Sequence, residues 1–182
     1  MAAAQRAGYA QTVTGLVKGD DLGVTLPHEH LIIDSTCYYK EPLDPDEKHL
    51  GREKVALGNL AWMRRNYISN IDNLLLQDPV VAAEEAALFK KRGGGTIIDV
   101  GCVGLGRNPK ALRQISEATG LHVIMGAGYY VEPSHPKDMG SKTVESIAAE
   151  IVNDIEVGVD GTGIRAGVIG EVGASWPLTP NE

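Results

Sequence analysis

The hydrophobic positions of this chain follow two alternating patterns. Short apolar runs at residues 27–34, 96–100, 121–125 and 166–172 predict β-strands. Between them, apolar residues recur about every 3.6 positions and predict helices over residues 79–92, 109–119 and 144–155. Each helix follows a residue suited to an N-cap, namely Asp78, Asn108 and either Ser141 or Thr143. The order is therefore strand, helix, strand, helix, strand, helix, strand.

Three further segments complete the pattern. Residues 11–15 and 23–26 flank the turn-rich sequence Lys18-Gly-Asp-Asp21, which predicts a small β-hairpin ahead of the main fold. Residues 35–52 are polar and predict a long loop, and apolar residues within 53–67 predict one more helix. We expect residues 1–10 to be a flexible N-terminus and residues 11–182 to form one domain.

The alternation of apolar strands with amphipathic helices indicates an α/β fold with a parallel sheet covered by helices. Two architectures remain open on this evidence, an open doubly wound sheet and a closed TIM-type (β/α)8 barrel. Hydrophobic periodicity does not separate them. The placement of polar residues at the ends of strands does.

The composition fits a soluble globular domain, with 43% hydrophobic and 23% charged residues. A formal net charge of −7 argues against nucleic-acid or anionic-membrane partners, which require clustered Lys and Arg. Cys37 and Cys102 lack CxxC spacing, so we expect two reduced thiols. The N-terminus lacks a signal-peptide pattern and no run approaches the ~20 apolar residues of a membrane span, so we expect a cytoplasmic protein.

Two histidines stand at the end of the first strand of the main fold, in Pro27-His-Glu-His-Leu31. Side chains alternate along a strand, so His28 and His30 leave the same face and Glu29 the opposite one. Two converging imidazoles suit zinc and its neighbouring transition metals. A pair of hydrogen-bonded core histidines is the alternative, but catalytic residues of α/β proteins collect at the carboxyl ends of strands. We therefore predict His28 and His30 as metal ligands.

Glu171 lies in the last apolar strand, within Val168-Ile-Gly-Glu-Val-Gly173. A carboxylate in such a strand is costly to bury unless it is paired or bound to a metal. A structural salt bridge is one explanation. We favour a metal ligand, because one carboxylate can bridge two cations in a two-metal hydrolase.

Four segments in combination resemble the phosphotriesterase family of the amidohydrolase superfamily. They are Pro27-His-Glu-His-Leu31, Gly93-Gly-Gly-Thr-Ile-Ile-Asp-Val-Gly101, Gly126-Ala-Gly-Tyr-Tyr-Val131 and Val168-Ile-Gly-Glu-Val-Gly-Ala-Ser-Trp-Pro-Leu178. The likeness extends from about residue 11 to the last residue. It implies a TIM-type (β/α)8 barrel, of which this chain is the N-terminal half with about four βα units, and a binuclear divalent-metal centre at the carboxyl face of the strands.

The resemblance also implies a ligand set and a reaction. His28 and His30 would bind one metal and Glu171 would bridge two divalent cations, with zinc the expected metal. Organophosphate-degrading members use a carboxylated lysine as the bridge, so the glutamate places this chain in the related-protein branch and argues against an organophosphate substrate. The implied reaction is hydrolysis of a small ester, lactone or amide, such as an N-acyl amino acid or an N-acyl taurine.

The chain departs from the family pattern at its end. The family completes its site with histidines from strands 5 and 6 and an aspartate at strand 8, whereas this sequence stops just after strand 4. We therefore expect a sequence truncated before strands 5–8, with the catalytic aspartate outside it. The polypeptide as written should be weakly stable and inactive, and its open sheet edges make a homo-oligomer a further expectation.

Residues that follow the predicted strands would lie at the mouth of this site and contact substrate. Tyr129 and Tyr130 follow the third strand, Arg107 follows the second, His135 lies in a nearby loop, and Trp176 follows Glu171 by five residues. For each of them an ordinary structural role is the alternative. Asp99 is expected to support its loop by hydrogen bonds rather than to bind metal.

Two other functions stay open on the sequence alone. A doubly wound nucleotide-binding domain predicts a glycine fingerprint at the first βα turn, where this chain has His-Glu-His instead. A non-catalytic half-barrel that binds or scaffolds a partner predicts a stable dimer without bound metal.

Overall fold

The computed structural model describes residues 6–182 and contains eight strands and four α-helices among them. The strands are β1 (Tyr9–Thr12), β2 (Gly15–Lys18), β3 (Val24–Glu29), β4 (Ile33–Asp34), β5 (Leu75–Leu76), β6 (Gly94–Asp99), β7 (His122–Ala127) and β8 (Val168–Ile169). The helices are α1 (Leu60–Met63), α2 (Pro79–Lys91), α3 (Pro109–Thr119) and α4 (Val144–Glu156). None of the helices within residues 6–182 is both long and apolar enough to cross a membrane.

A four-stranded parallel sheet with the order β3-β6-β7-β8 forms the centre of the molecule. Its strands are neighbours in the same order as in the sequence, and α2, α3 and α4 connect them. A doubly wound sheet reverses its strand order at a switch point, whereas a barrel adds each strand beside the last. The topology therefore matches four consecutive βα units of a barrel.

The helix bounds follow from local capping. The side chains of Asp78, Asn108 and Thr143 accept hydrogen bonds from backbone N–H groups in the first turns of α2, α3 and α4. Ser146 completes a capping box with Thr143. Gly120 ends α3 in the left-handed conformation, with φ 67°. These three helices were predicted from the sequence within one or two residues.

The core lies between α2, α3 and the sheet. Fully buried side chains from α3, from β7 and from the residue directly before β7 pack together here, and the largest are Leu112, Ile115, Leu121, Val123 and Met125. Val13 adds to this core from the hairpin. Its backbone N–H donates to the carbonyl of Val123 at 2.9 Å, which anchors the hairpin to the amino end of β7.

The predicted hairpin exists, but its strands differ from the prediction. β1 pairs with β2 around Val13 and Thr14, and Tyr9 and Ala10 of the expected flexible N-terminus belong to β1. The hydroxyl of Thr12 closes this turn by donating to the carbonyl of Gly15 at 2.8 Å. Residues 1–5 of the expected flexible segment lie outside the described residues. Residues 24–26, predicted as the second limb, instead begin β3 and pair with β6.

The helix predicted over residues 53–67 is wrong in extent, because only Leu60–Met63 is α-helical. Upstream of it, the N–H of Val55 donates to the carboxylate of Asp72 and the N–H of Ala56 donates to the side chain of Asn59. These side chains bind backbone groups that a helix would need, so they hold the segment in turns. The last predicted strand is also shorter than residues 166–172, since β8 covers only Val168–Ile169.

Candidate metal centre

His28 and His30 lie at the carboxyl end of β3, where the strand is irregular. Leu26 pairs with Ile97 and Glu29 with Asp99, so β3 holds one extra residue between these pairs. A bulge of this kind bends a strand and redirects its side chains. The two imidazole rings lie edge to face with their centroids 6.1 Å apart.

Glu171 reaches these histidines from the opposite edge of the parallel sheet, because it follows β8 and they lie at the end of β3. Regular pairing of β8 with β7 ends at Ile169, and two residues later the carboxylate of Glu171 reaches His28 and His30. Oε1 of Glu171 lies 2.5 Å from Nε2 of His28 and 3.5 Å from Nε2 of His30. Within residues 6–182, the carboxylate forms no salt bridge with a lysine or arginine.

The three side chains have the donor atoms of a divalent-metal site. One ligand atom from each of His28, His30 and Glu171 lies within 4.8 Å of the others. Two imidazole nitrogens and a carboxylate oxygen are a donor set that zinc and neighbouring transition metals accept. The side chain of Glu171 is 14% exposed and that of His28 is 62% exposed, so the carboxylate is mostly buried while the His28 ring is open to solvent. The residues present therefore fit a metal.

Asp99 supports the backbone beside this cluster, in the role expected from the sequence. Its carboxylate is buried, and its oxygens accept from the N–H of Leu31 at 2.7 Å and of Gly101 at 3.0 Å. Burial raises the pKa of Asp99, while these backbone donors and the nearby His30 oppose that rise. Asp99 thus holds the chain next to His30 rather than joining the ligands.

Tyr130 is a candidate substrate contact that packs against the segment directly after Glu171. A Cβ on Gly173, two residues after Glu171, would lie 2.6 Å from the Tyr130 ring. Tyr38 joins this region from the long loop, and sequence reasoning missed it because nothing in the polar pattern of residues 35–52 singles it out. Burial raises the pKa of Tyr38, and Tyr130, Cys37 and Glu171 raise it further.

Tyr129 and Arg107 point away from the ligand cluster and toward α4. The Tyr129 hydroxyl donates to Glu150, which also accepts from Lys142. The Arg107 guanidinium is 5% exposed and donates to Asp154 at 2.8 Å. Both residues line a separate cavity of about 550 Å³ beside α4. The structure therefore does not place them with His28, His30 and Glu171.

The last two candidates are also outside the cluster. Nε2 of His135 lies 3.3 Å from the carbonyl oxygen of Tyr130, and the imidazole ring packs edge to face against the ring of Tyr129. Trp176 is 97% exposed. Its loop is held by the carboxylate of Glu182, which accepts from the backbone N–H groups of Glu132 and Ser175.

Sequence comparisons identify known proteins that are similar to this chain. The model of the phosphotriesterase family matches residues 8–182. A phosphotriesterase-related protein of Nematostella vectensis is 44% identical over 96% of this chain and 51% of its own length. The human N-acetyltaurine hydrolase is 40% identical over 96% of this chain and 50% of its own length. The chain thus spans about half the length of these relatives.

Solved structures of similar fold also match this chain over about half of their own length. A resiniferatoxin-binding protein from Rhodobacter sphaeroides superposes with a TM-score of 0.93 and 39% identity, over 97% of this chain and 49% of that one. The organophosphorus hydrolase from Deinococcus radiodurans gives a TM-score of 0.68 and 30% identity, over 96% of this chain and 46% of that one. With a family match over residues 8–182, this chain belongs to the phosphotriesterase family.

Proposed function

We propose that the full-length form of this protein is a divalent-metal-dependent hydrolase. His28 and His30 would bind one cation and Glu171 would bridge it to a second one, with zinc as the proposed metal. The observation that carries the proposal is the convergence of two imidazoles and one carboxylate, within 4.8 Å, at the carboxyl ends of two strands. In barrel enzymes that end of the strands carries the active site.

Bound divalent cations would supply Lewis-acid chemistry, which activates water near neutral pH and polarises a scissile carbonyl or phosphoryl group. The chain's own residues prepare the site for this. Nε2 of each histidine faces the carboxylate, so both imidazoles offer a nitrogen to the same point. The carboxylate supplies negative charge to offset cationic charge, and its two oxygens allow it to bridge.

We propose a small ester, lactone or amide as the substrate, and specifically an N-acyl amino acid or an N-acyl taurine. The support comes from relatives named N-acetyltaurine hydrolase, at 40% identity for the human protein and 42% for the bovine one. The family resemblance implies that Glu171 stands where organophosphate-degrading members have a carboxylated lysine, and this favours acyl substrates over phosphotriesters.

Among the five candidate substrate contacts, the geometry best supports Tyr130. Its ring packs on Gly173 close to Glu171, and it adjoins Tyr38. His135 contacts the carbonyl of Tyr130 and would act through that residue. The interactions of Arg107 and Tyr129 with α4 and the exposure of Trp176 give no comparable support.

The proposal is tested by metal analysis and substrate hydrolysis with the natural full-length protein. We expect about two divalent ions per complete site, release of taurine from N-acetyltaurine or of an amino acid from its N-acetyl form, and loss of activity on chelation. Glu171→Gln and the double variant His28→Ala/His30→Ala should lose both metal and turnover. Glu29→Gln, an exposed residue between the two histidines, is the matched control and should retain both.

Full hydrolytic activity in metal-free protein would contradict the proposal. Metal retained at wild-type level in both ligand variants would contradict it as well. A protein that binds both ions but cleaves only phosphotriesters would refute the acyl substrate and leave the metal centre standing.

A further inference from the structure

One short segment contacts both parts of the chain that carry the candidate ligands. It consists of residues 99–102, which end β6 and begin the loop after it, and we call it the positioning segment. The N–H of Val100 donates to the carbonyl of Glu29 at 3.1 Å, between the two histidines. The carbonyl of Val100 accepts from the N–H of Glu171, also at 3.1 Å. One residue thus connects the His28–His30 pair to Glu171 through its own backbone.

The side chain of Asp99 fixes the histidine side of this connection. Its Oδ2 accepts from the N–H of Leu31, the residue directly after His30, at 2.7 Å. Its Oδ1 accepts from the N–H of Gly101 at 3.0 Å, which folds the carboxylate back on its own segment. Asp99 is 1% exposed, so water does not compete for these donors. The carboxylate therefore sets the path of the backbone that leaves His30.

The thiol of Cys102 fixes the carboxylate side. Its Sγ lies 3.1 Å from the carbonyl oxygen of Glu171 and 3.3 Å from that of Val100. A thiol has one hydrogen to donate, and the Glu171 carbonyl is the nearest acceptor. Cys102 is fully buried. The backbone of Glu171 is therefore held at its N–H by Val100 and at its carbonyl by Cys102.

Glycine at position 170 makes this close approach possible. A Cβ there would lie 2.5 Å from the Val100 carbonyl oxygen and 2.9 Å from Sγ of Cys102. Neither distance is compatible with a side chain. The N–H of Gly170 still donates to the carbonyl of Ala127 in β7 at 2.7 Å, whereas the N–H of Glu171 donates to Val100. Because position 170 is glycine, the chain can cross from β7 to the positioning segment between these two residues, before Glu171 presents its carboxylate.

We infer that Asp99 and Cys102 are positioning residues of the metal centre, which hold the His30 and Glu171 backbones at the separation that a shared cation needs. The inference rests on the proposed function, because it assumes that these side chains bind a metal. Neither residue contacts the cation itself. Each acts through a backbone hydrogen bond to a segment that carries a ligand.

The test measures Co²⁺ binding by the metal-depleted, natural full-length protein, through its dissociation constant and the visible absorption of the bound ion. Outer-shell changes typically weaken metal binding about 10- to 100-fold, so we expect Cys102→Ala to weaken Co²⁺ binding by about tenfold and to shift the absorption spectrum. Cys102→Ser retains a hydroxyl donor and should recover most of the affinity. Asp99→Asn keeps only one acceptor oxygen for three backbone donors, the N–H groups of Leu31, Ile32 and Gly101, and it should weaken binding at least as much.

Ser116→Ala is the matched control. Ser116 is buried and donates to the carbonyl of Leu121 at 2.7 Å, at the opposite end of the sheet. The Ser116→Ala change, like Cys102→Ala, removes a buried side-chain hydrogen bond to a backbone carbonyl. It should nevertheless leave the Co²⁺ affinity and absorption spectrum unchanged. If Asp99→Asn fails to fold, the comparison of Cys102→Ala, Cys102→Ser and Ser116→Ala decides the question.

The inference is overturned if Cys102→Ala binds Co²⁺ like the wild type while Glu171→Gln loses it, and the proposed metal centre then survives. It is also overturned if Ser116→Ala weakens binding as much as Cys102→Ala, because the effect is then general destabilisation. If the wild-type protein itself binds no Co²⁺, the proposed function fails and the inference fails with it.

Discussion

The two ends of the parallel sheet are built in opposite ways. At the amino end, the hairpin covers the strands and buried hydroxyls donate to backbone carbonyls: Thr96 donates to the Leu22 carbonyl at 2.6 Å, and Ser116 donates to that of Leu121. At the carboxyl end, His28 is largely exposed and Nδ1 of His30 is buried without a hydrogen-bond partner among the described residues. The amino end is covered, and its buried hydroxyls donate to backbone carbonyls. The carboxyl end holds an exposed imidazole and a buried ring nitrogen without a partner among the described residues.

This difference assigns separate tasks to the two ends. Apolar burial and satisfied backbone groups stabilise the fold at the amino end. Polar side chains at the carboxyl end converge, and among the described residues Glu171 has no lysine or arginine partner, which costs stability and leaves room for a ligand. In barrel enzymes the same division separates stability from catalysis. Variants at each end should therefore change different measured quantities.

The largest loss of stability is expected from the amino end. Leu121 is 1% exposed, and Leu121→Ala should lower the free energy of unfolding by about 2–5 kcal/mol because it leaves a cavity in the core. Denaturant unfolding measures this change, and metal affinity should stay near the wild-type value. Leu88→Ala, which alters an exposed residue of α2, is the control. A large drop in intrinsic metal affinity with Leu121→Ala would erase the distinction between the two ends.

The reverse result is expected at the carboxyl end. Glu171→Gln removes the charge of the shared carboxylate and should reduce divalent-metal affinity by more than about 100-fold, beyond the usual cost of an outer-shell change. That factor corresponds to about 2.7 kcal/mol of binding free energy. Isothermal titration calorimetry measures it, and unfolding of the metal-free protein should change little. Severe loss of metal-free stability would instead make Glu171 a structural residue.

A smaller effect distinguishes structural residues that lie at the carboxyl end from functional ones. Asn108 caps α3, and its side chain accepts from the N–H of Ala111 at 3.1 Å. Asn108→Ala should cost about 1 kcal/mol of stability, while Asn108→Asp should keep the cap. Neither variant should alter metal affinity, although Asn108 lies at the same end of the sheet as the candidate ligands. A change in metal affinity would mean that residues at this end influence the metal centre even when they do not contact the segments that carry its ligands.

The smallest effect concerns the two thiols. Burial raises the pKa of Cys102 to about 11, and the nearby Glu171 adds to that rise. Because this value is above the ordinary 9.0, the protonated thiol contributes stability that is complete below pH 9 and is lost as the pH rises through 11. At pH 8 a thiol reagent followed by mass spectrometry should label the partly exposed Cys37 first. Equally fast labelling of Cys102 in folded protein would contradict its burial.

Elements with local signals were predictable from the sequence. Asp78, Asn108 and Thr143 cap helices by contacts to residues two or three positions away, so the signal and the structure lie in the same short window. The convergence of His28, His30 and Glu171 followed from the rule that parallel strands bring their carboxyl ends to one edge. Their role as ligands stays a prediction.

The errors came from interactions between distant residues. Residues 24–26 pair with β6, which begins about 70 positions later, so no local pattern separates them from a hairpin limb. The failed helix over residues 53–67 depends on Asp72, outside the predicted segment. The roles of Val100 and Cys102 at Glu171 arise where β8 crosses to β6, and neither residue carries a sequence motif for such a role.

The most direct test is a crystal structure of the natural full-length protein grown with zinc, with anomalous diffraction recorded at the zinc absorption edge. The account predicts an anomalous peak between the three side chains, about 2.0–2.1 Å from Nε2 of His28 and His30 and about 2.0–2.2 Å from an oxygen of Glu171. A zinc-loaded crystal with no peak there, and with Glu171 still bonded directly to His28, would contradict it.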